Sequence, residues 1–285
     1  MTVRVTAVIP TTGRPELRRA VESVRAQTVP CRTVVVNDRP ELSGQIEVML
    51  NGLTYELVET EGATGGAAAR QRGVEAAHTD AVAFLDDDDA WHARKAEQQL
   101  AALDARGDAV ITCLTEFRES GGGVRVLPER PYDGTTPVVD YLWDRSTLRL
   151  RRSFLQTSSL MIPRATLLRV PWNESLARHQ DWDLLIRLDA VGVPIHTVPE
   201  VLVSVFQGSQ GSISRAGDWE QSLAWADAVG ATASRRAHGD FVASIVLRSA
   251  LRARDFRGVG HAMRRTAELR PHTAAIAVGL GGLVG

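Results

Sequence analysis

Four consecutive carboxylates, Asp86-Asp87-Asp88-Asp89, follow the apolar run Ala81-Val82-Ala83-Phe84-Leu85 and precede Ala90-Trp91. A solvated turn or a helix cap accounts for one such aspartate. Four side by side repel one another and need a further reason. Carboxylate oxygens are hard ligands that suit Mg²⁺ or Mn²⁺, and those ions in turn suit a diphosphate. A strand that delivers the cluster to its carboxyl end fits an open α/β sheet, where ligands sit outside the strand ends. The expectation is a metal-dependent enzyme acting on a nucleotide-linked substrate.

Other residues have two readings each. Asp38, in Asn37-Asp38-Arg39-Pro40, reads locally as an Asx-turn residue. Gly65-Gly66 before an alanine-rich segment is either a plain turn or a place where backbone approaches a ligand at a helix start. Arg70 and Arg72 fall on the first two turns of that helix, where a solvated face is the default. Asp181 precedes a helical pattern, so it is either an N-cap or a carboxylate held ionised by the helix dipole and able to act as a general base. His179 reads as a satisfied surface histidine, with contact to departing phosphates as the alternative.

The elements that must position these residues alternate. Strands are expected over Val3 to Ile9, Thr33 to Val36, Tyr55 to Glu59, Ala81 to Leu85 and Ala109 to Leu114. Helices are expected over Glu16 to Ala26, Glu41 to Leu50, Ala67 to Ala77 and about His92 to Ala105. Such alternation implies parallel strands joined by right-handed crossovers, which brings Thr11, Asp38, Gly65 and the acidic run to one sheet edge. Further on, Glu119 to Pro137 reads as irregular or hairpin-like, Leu155 to Ile162 as a strand and Arg164 to Val170 as a short helix. Another helix is expected over Leu184 to Ala190, and two strands over Ile195 to Val198 and Val201 to Phe206. Helices follow over Trp219 to Arg236, Phe241 to Ala253 and Val259 to Leu269. The apolar stretch Thr273 to Gly285 could cover a hydrophobic surface, pair with a second subunit or fray.

With 44% hydrophobic and 24% charged residues, the 285-residue chain can bury a full core. A net charge of -1 supplies no electrostatic reason for nucleic acid or an anionic membrane as a partner. No apolar run reaches the ~18 residues of a spanning helix. The start enters a strand with no signal peptide, and Cys31 and Cys113 lack metal-type spacing and read as reduced structural residues. A soluble, cytoplasmic protein is expected.

In order and spacing, the chain resembles the family 2 glycosyltransferases over roughly residues 3 to 210. The residues that carry this are Val8-Ile9-Pro10-Thr11-Thr12-Gly13-Arg14, Val34-Val35-Val36-Asn37-Asp38, Gly65 to Gly73, Phe84 to Trp91 and Gln180-Asp181-Trp182-Asp183-Leu184. The resemblance implies a GT-A type nucleotide-binding α/β fold: a mostly parallel central sheet flanked by helices, with a C-terminal helical extension. The implied division is a glycosyltransferase domain over 1–215, with a nucleotide-sugar half (1–115) and an acceptor half (116–215), then a helical region over 216–285. It assigns nucleotide contacts to Pro10, Thr11, Thr12, Arg14, Asp38, Gly65, Arg70, Asp86 and Asp87. Asp86 and Asp88 match the ends of the family's metal motif for Mg²⁺ or Mn²⁺. Asp89, Arg178, His179 and Trp182 are candidates for donor or diphosphate contacts, with capping of the next helix as the other role for Asp89. Asp181 matches the base of inverting transfer.

This chain departs from the family pattern at Gln180 for Glu, Gln71 for Asn and Ala93 for Pro, and Gln207 stands nearest the usual histidine. The Gln-x-x-Arg-Trp motif and membrane helices of processive synthases are absent. The expected function is inverting, metal-dependent transfer of one sugar from a nucleotide-diphosphate donor, UDP-linked by preference, to a soluble small-molecule acceptor such as an antibiotic or other natural product. Cell-wall or surface polysaccharide assembly is the alternative acceptor reading, and a non-catalytic nucleotide-sugar-binding module the alternative of another class.

Overall fold

The computed structural model describes residues 4–119, 121–148, 153–206 and 218–281. Strands and helices alternate through the first part of the chain: β1 Val5–Thr11, α1 Leu17–Arg25, β2 Cys31–Asn37, α2 Ser43–Met49, β3 Glu56–Glu59, α3 Gly66–Ala76 and β4 Ala81–Phe84. There follow β5 Ala90–Trp91, α4 Lys95–Arg106, β6 Val110–Arg118, β7 Val124–Leu127 and α5 Val138–Trp143. Next come β8 Met161–Pro163, α6 Arg164–Arg169, α7 Gln180–Ala190 and β9 Ile195–Phe206. The remainder is helical: α8 Trp219–Val229, α9 Arg235–Phe241, a π-helical segment Val242–Leu247, α10 Arg248–Arg252, α11 Phe256–Leu269 and α12 Thr273–Leu280.

The chain forms two compact units, Met1–Asp133 with Leu155–Gln210, and Gly134–Phe154 with Gly211–Gly285. The segment carrying α5 therefore folds with the C-terminal helices, a different division from a single break near residue 215.

In the first unit the strand order is β3-β2-β1-β4-β8-β6-β9-β5, with β7 paired to β6. Strands β1 to β4 are mutually parallel, in the register Thr11 to Asn37 and Val8 to Phe84. Their carboxyl ends therefore share one edge. Strand β8 runs antiparallel to β4 and β6, so the sheet is mixed beyond β4. The buried face of α1 is Leu17, Ala20, Val21 and Val24, packed with Ile9, Val35 and Leu85. Helix α3 is rich in alanine and glycine because it lies close to the sheet. A Cβ on Gly73 would fall 2.3 Å from a methyl of Val8.

Several element boundaries differ from the sequence expectation. The stretch 155–162 yields only the short β8, because Thr157–Ser159 turn as a 3-10 helix in which Ser159 Oγ bonds Gln156 O at 2.6 Å. Local side-chain bonds of this kind compete with a strand ladder. The two strands expected over 195–206 are one, with a bulge after Val198 where Pro199 cannot join the ladder. The expected helix over 219–236 is broken at residues 230–234. Residues 119–137 contain a hairpin strand.

The sole lysine, Lys95, is fully buried, donates to Gln99 Oε1 at 2.7 Å and lies 4.0 Å over the Trp91 ring. Burial pushes its pKa down to about 8. Cys31 and Cys113 are free thiols whose pKa values burial raises to about 11 and about 12. In the second unit, α12 seats Ala275 and Gly279 inward, and a Cβ on Gly279 would fall 2.2 Å from the Ala243 carbonyl oxygen. Among the described residues no helix is long and apolar enough to cross a membrane.

Candidate active site

Each of the four carboxylates after β4 meets a donor, Arg14 being shared by Asp87 and Asp88, which relieves their mutual repulsion. Asp86 accepts from Arg70 at 2.6 Å, and its own N–H donates to Ser158 Oγ at 3.0 Å. Asp87 accepts from the Thr11 hydroxyl at 2.6 Å and faces Arg14 at 3.4 Å. Burial pushes its pKa up to about 6 against the pull of Thr11 and Arg14. Asp88 accepts from Arg14 at 2.9 Å. Asp89 is buried and accepts from Ser158 Oγ at 2.6 Å and Gln156 Nε2 at 2.7 Å, and burial holds its pKa well above the usual carboxylate range. It caps no helix, since α4 begins at Lys95.

Arg70 is turned inward, contrary to the solvated face expected for it, and is only 9% exposed; Arg72 is the exposed one. One guanidinium nitrogen holds Asp86, and the other donates to Gln180 Oε1 at 2.9 Å. Its Cζ lies 5.3 Å from the centroid of the Trp172 ring. Gly66 makes room for this arrangement. A Cβ there would fall 2.8 Å from Arg70 Nη1 and 3.1 Å from Gln180 Oε1. Thus the substitution of Gln at 180 still provides an acceptor for Arg70, though a neutral one.

Asp181 lies inside α7 rather than before it, and the cap position is His179. Its Oδ1 accepts from the Trp182 N–H at 3.0 Å. Burial raises its pKa to about 6, opposed by Arg70 and the Trp182 N–H and reinforced by Asp86. His179 has the left-handed φ of 60° and sits 5.9 Å from Trp182, ring to ring. It is half-buried. Burial and Arg178 lower its pKa to about 3, so it is neutral near pH 7 and brings no charge to a phosphate. Arg178, His179 and Trp182 are half-buried around the start of α7.

Asp38 is buried and turned toward the loop that leads into α3. It accepts from the hydroxyls of Thr60 and Thr64, each at 2.6 Å, and from the N–H groups of Thr64 and Gly65, each at 2.9 Å. Burial pushes its carboxyl up, but these four donors outweigh it and hold it below the usual range. Asp38 therefore fixes the Gly65 turn, while the Asx-turn belongs to Asn37, which accepts from the Arg39 N–H at 2.9 Å. Thr11 is buried, Pro10 half-buried and Thr12 exposed. Gln207 lies outside the described residues.

The donor set at Asp86 and Asp88 fits a hard divalent cation: two carboxylates with one residue between them, with side chains 31% and 18% exposed. Two protein ligands leave the rest of a cation's shell to phosphate oxygens and water, which is how Mg²⁺ is commonly held. Ser158, Gln156 and Trp172 complete the arrangement, and the sequence assigned none of the three an individual role. The polar run Thr157-Ser158-Ser159, inside a stretch read as a strand, was the one available signal.

Residues 6–176 match the family model for glycosyl transferase family 2. The chain belongs to that family. The matched span holds Thr11, Asp38, Arg70 and the acidic run, and ends before Asp181. Among curated relatives, the amylovoran biosynthesis glycosyltransferase AmsB of Erwinia amylovora is 31% identical over 192 residues, covering 65% of this chain and 62% of AmsB. An uncharacterized glycosyltransferase, YwdF of Bacillus subtilis, is 26% identical over 164 residues, covering 55% of this chain and 58% of YwdF. The chain thus matches less than two thirds of these relatives' lengths. Among solved structures, S. aureus TarS 1-349 in complex with UDP-GlcNAc superposes with a TM-score of 0.65 at 15% identity, covering 98% of this chain and 91% of TarS 1-349. The fold of this family 2 glycosyltransferase is accordingly GT-A, with additional C-terminal helices.

Proposed function

We propose that this family 2 glycosyltransferase moves one sugar from a UDP-linked donor to an acceptor hydroxyl or amine, with inversion at the anomeric carbon. The observation that carries the reading is the Arg70 bridge. It draws Asp86 of the acidic run together with Gln180, the residue beside Asp181, across 94 residues of sequence. A candidate leaving-group site and the neighbour of a candidate base are thereby held by one guanidinium.

In this reading Asp181 accepts the acceptor proton while the acceptor oxygen or nitrogen attacks the anomeric carbon. The bond from that carbon to the diphosphate oxygen breaks, and its electron pair leaves on the nucleoside diphosphate. A pKa near 6 leaves Asp181 ionised at neutral pH yet basic enough to share a proton in the transition state. Arg70 holds Asp86 in place and keeps the start of α7 against α3. Asp86 and Asp88 would hold Mg²⁺ or Mn²⁺, which would supply positive charge to the departing diphosphate.

The UDP preference draws support from TarS, seen with UDP-GlcNAc. For the acceptor, AmsB is named for amylovoran biosynthesis. We therefore place a growing glycan ahead of the small natural-product acceptor. Thermal unfolding with UDP, GDP, dTDP and CDP, each with Mn²⁺ or EDTA, tests the site, because a ligand of the folded state raises the midpoint as RT ln(1 + [L]/Kd). A metal-dependent rise with UDP alone is expected, and no rise with any nucleotide would overturn the reading. The anomeric configuration of the product, read by NMR, tests inversion.

A further inference from the structure

Helix α11 is amphipathic twice over. Its inward side buries Gly258 and Ala262, with Gly258 so near Trp219 that a Cβ would fall 2.5 Å from the indole. Asp255 caps the helix through the N–H groups of Arg257 and Gly258, each at 3.0 Å, and accepts from Trp219 Nε1 at 2.8 Å. The helix is thus well formed and fixed from one side. On the opposite side Phe256, Gly260, Met263 and Ala267 recur at helical spacing, and all four are exposed. Phe256 is 88% exposed and Met263 58%. A helix needs one apolar face to pack; the second faces solvent.

Charge surrounds this stripe. Between residues 234 and 281 there are nine arginines and three carboxylates, in a chain whose net charge is -1. Arg252, Arg254 and Arg257, beside Phe256, and Arg264, beside Met263, are exposed. Among the described residues, Arg252, Arg254 and Arg257 form no salt bridge, and Arg264 pairs with Glu268 at 3.0 Å. A two-fold pairing of this face with a second copy would set one arginine-rich patch against another. A soluble polyanion would satisfy the arginines and leave Phe256 and Met263 in water.

We infer that the outer face of α11 docks on an anionic lipid surface, with Phe256 and Met263 entering the headgroup boundary and the flanking arginines meeting lipid phosphates. Apolar side chains flanked by arginine are the composition of helices that lie in a membrane interface. This inference is independent of the transfer chemistry.

The test is co-sedimentation of the full chain with vesicles of phosphatidylcholine alone or with about 30% phosphatidylglycerol, at about 0.1 M and about 0.5 M NaCl. Binding at least about tenfold stronger to the anionic vesicles is expected, falling at high salt as the charges are screened. The pair Phe256→Ser with Met263→Ser, and separately Arg254→Glu with Arg257→Glu, should each lose most of it, with an unchanged melting midpoint showing that the fold survives. Equal binding to neutral vesicles, or binding untouched by either pair, overturns the inference. So does retention by a soluble acidic polysaccharide without vesicle binding, which would make the face a polyanion site. A dimer in sedimentation that Phe256→Ser dissociates would assign the face to a second copy instead.

Discussion

Arg70 donates to Asp86 at 2.6 Å with a side chain only 11% exposed, so the pair sits where solvent screens it weakly. The same guanidinium holds Gln180 at 2.9 Å. Two acceptors on one planar fork is a geometry that arginine meets and lysine does not. Arg70→Met should lower kcat/KM for sugar transfer by about a hundredfold, the usual effect of a misplacement of about 1 Å among the groups that position a substrate. Arg70→Lys should recover little of that. Steady-state kinetics on the three proteins decide the matter, and a fully active Arg70→Lys would show that charge alone is needed.

Asp181→Asn should lower kcat by about 10²–10⁴-fold, the usual contribution of a general base, while the nucleotide-induced rise in melting midpoint persists. The wild-type rate should climb with pH through about 6 as Asp181 ionises. Stability runs the opposite way. A carboxyl whose pKa is raised on folding binds its proton more tightly when folded, so it destabilises increasingly as pH rises from about 4 to about 6. Asp87, also raised to about 6, acts in the same direction. Asp181→Asn should therefore melt higher than wild type at pH 8, by at most about 3 kcal/mol of stability, and no higher at pH 4. Paired melts at the two pH values check the sign.

Removal of divalent cations with EDTA should abolish transfer, and Mn²⁺ or Mg²⁺ should restore it. Asp88→Asn should weaken the Mn²⁺-dependent binding of UDP by about tenfold or more, since one of the two carboxylates proposed to hold the ion is lost. Titration calorimetry with Mn²⁺ and UDP measures this directly. Transfer at full rate in EDTA would rule out a metal at Asp86 and Asp88.

Two glycines of α3 should fail in different ways when changed to alanine. At Gly66 the new methyl would lie 2.8 Å from Arg70 Nη1 and 3.1 Å from Gln180 Oε1, so activity should fall with little loss of stability. At Gly73 it would lie 2.3 Å from Val8 and 3.2 Å from Val36, both in the sheet. Overpacking there should cost about 1–3 kcal/mol. Denaturant melts beside kinetics separate the two.

By itself the sequence determined the alternation of strand and helix, because apolar periodicity and the Gly, Pro and Asn punctuation between elements are local properties. It also placed Thr11, Asp38, Gly65 and the acidic run at strand ends, and parallel connections then put them along one edge. Tertiary structure alone decided what each of those side chains faces. Arg70 points inward because Gly66 leaves space beside it and Asp86 and Gln180 wait there, 16 and 110 residues away in the chain. Asp38 is taken up by its own loop, and Asp89 by Ser158 and Gln156. The raised pKa values of Asp87 and Asp181 come from enclosure by distant segments. Periodicity reports which way a residue faces on its own element. Partners and desolvation depend on the path of the whole chain, and that path exists only once the chain has folded.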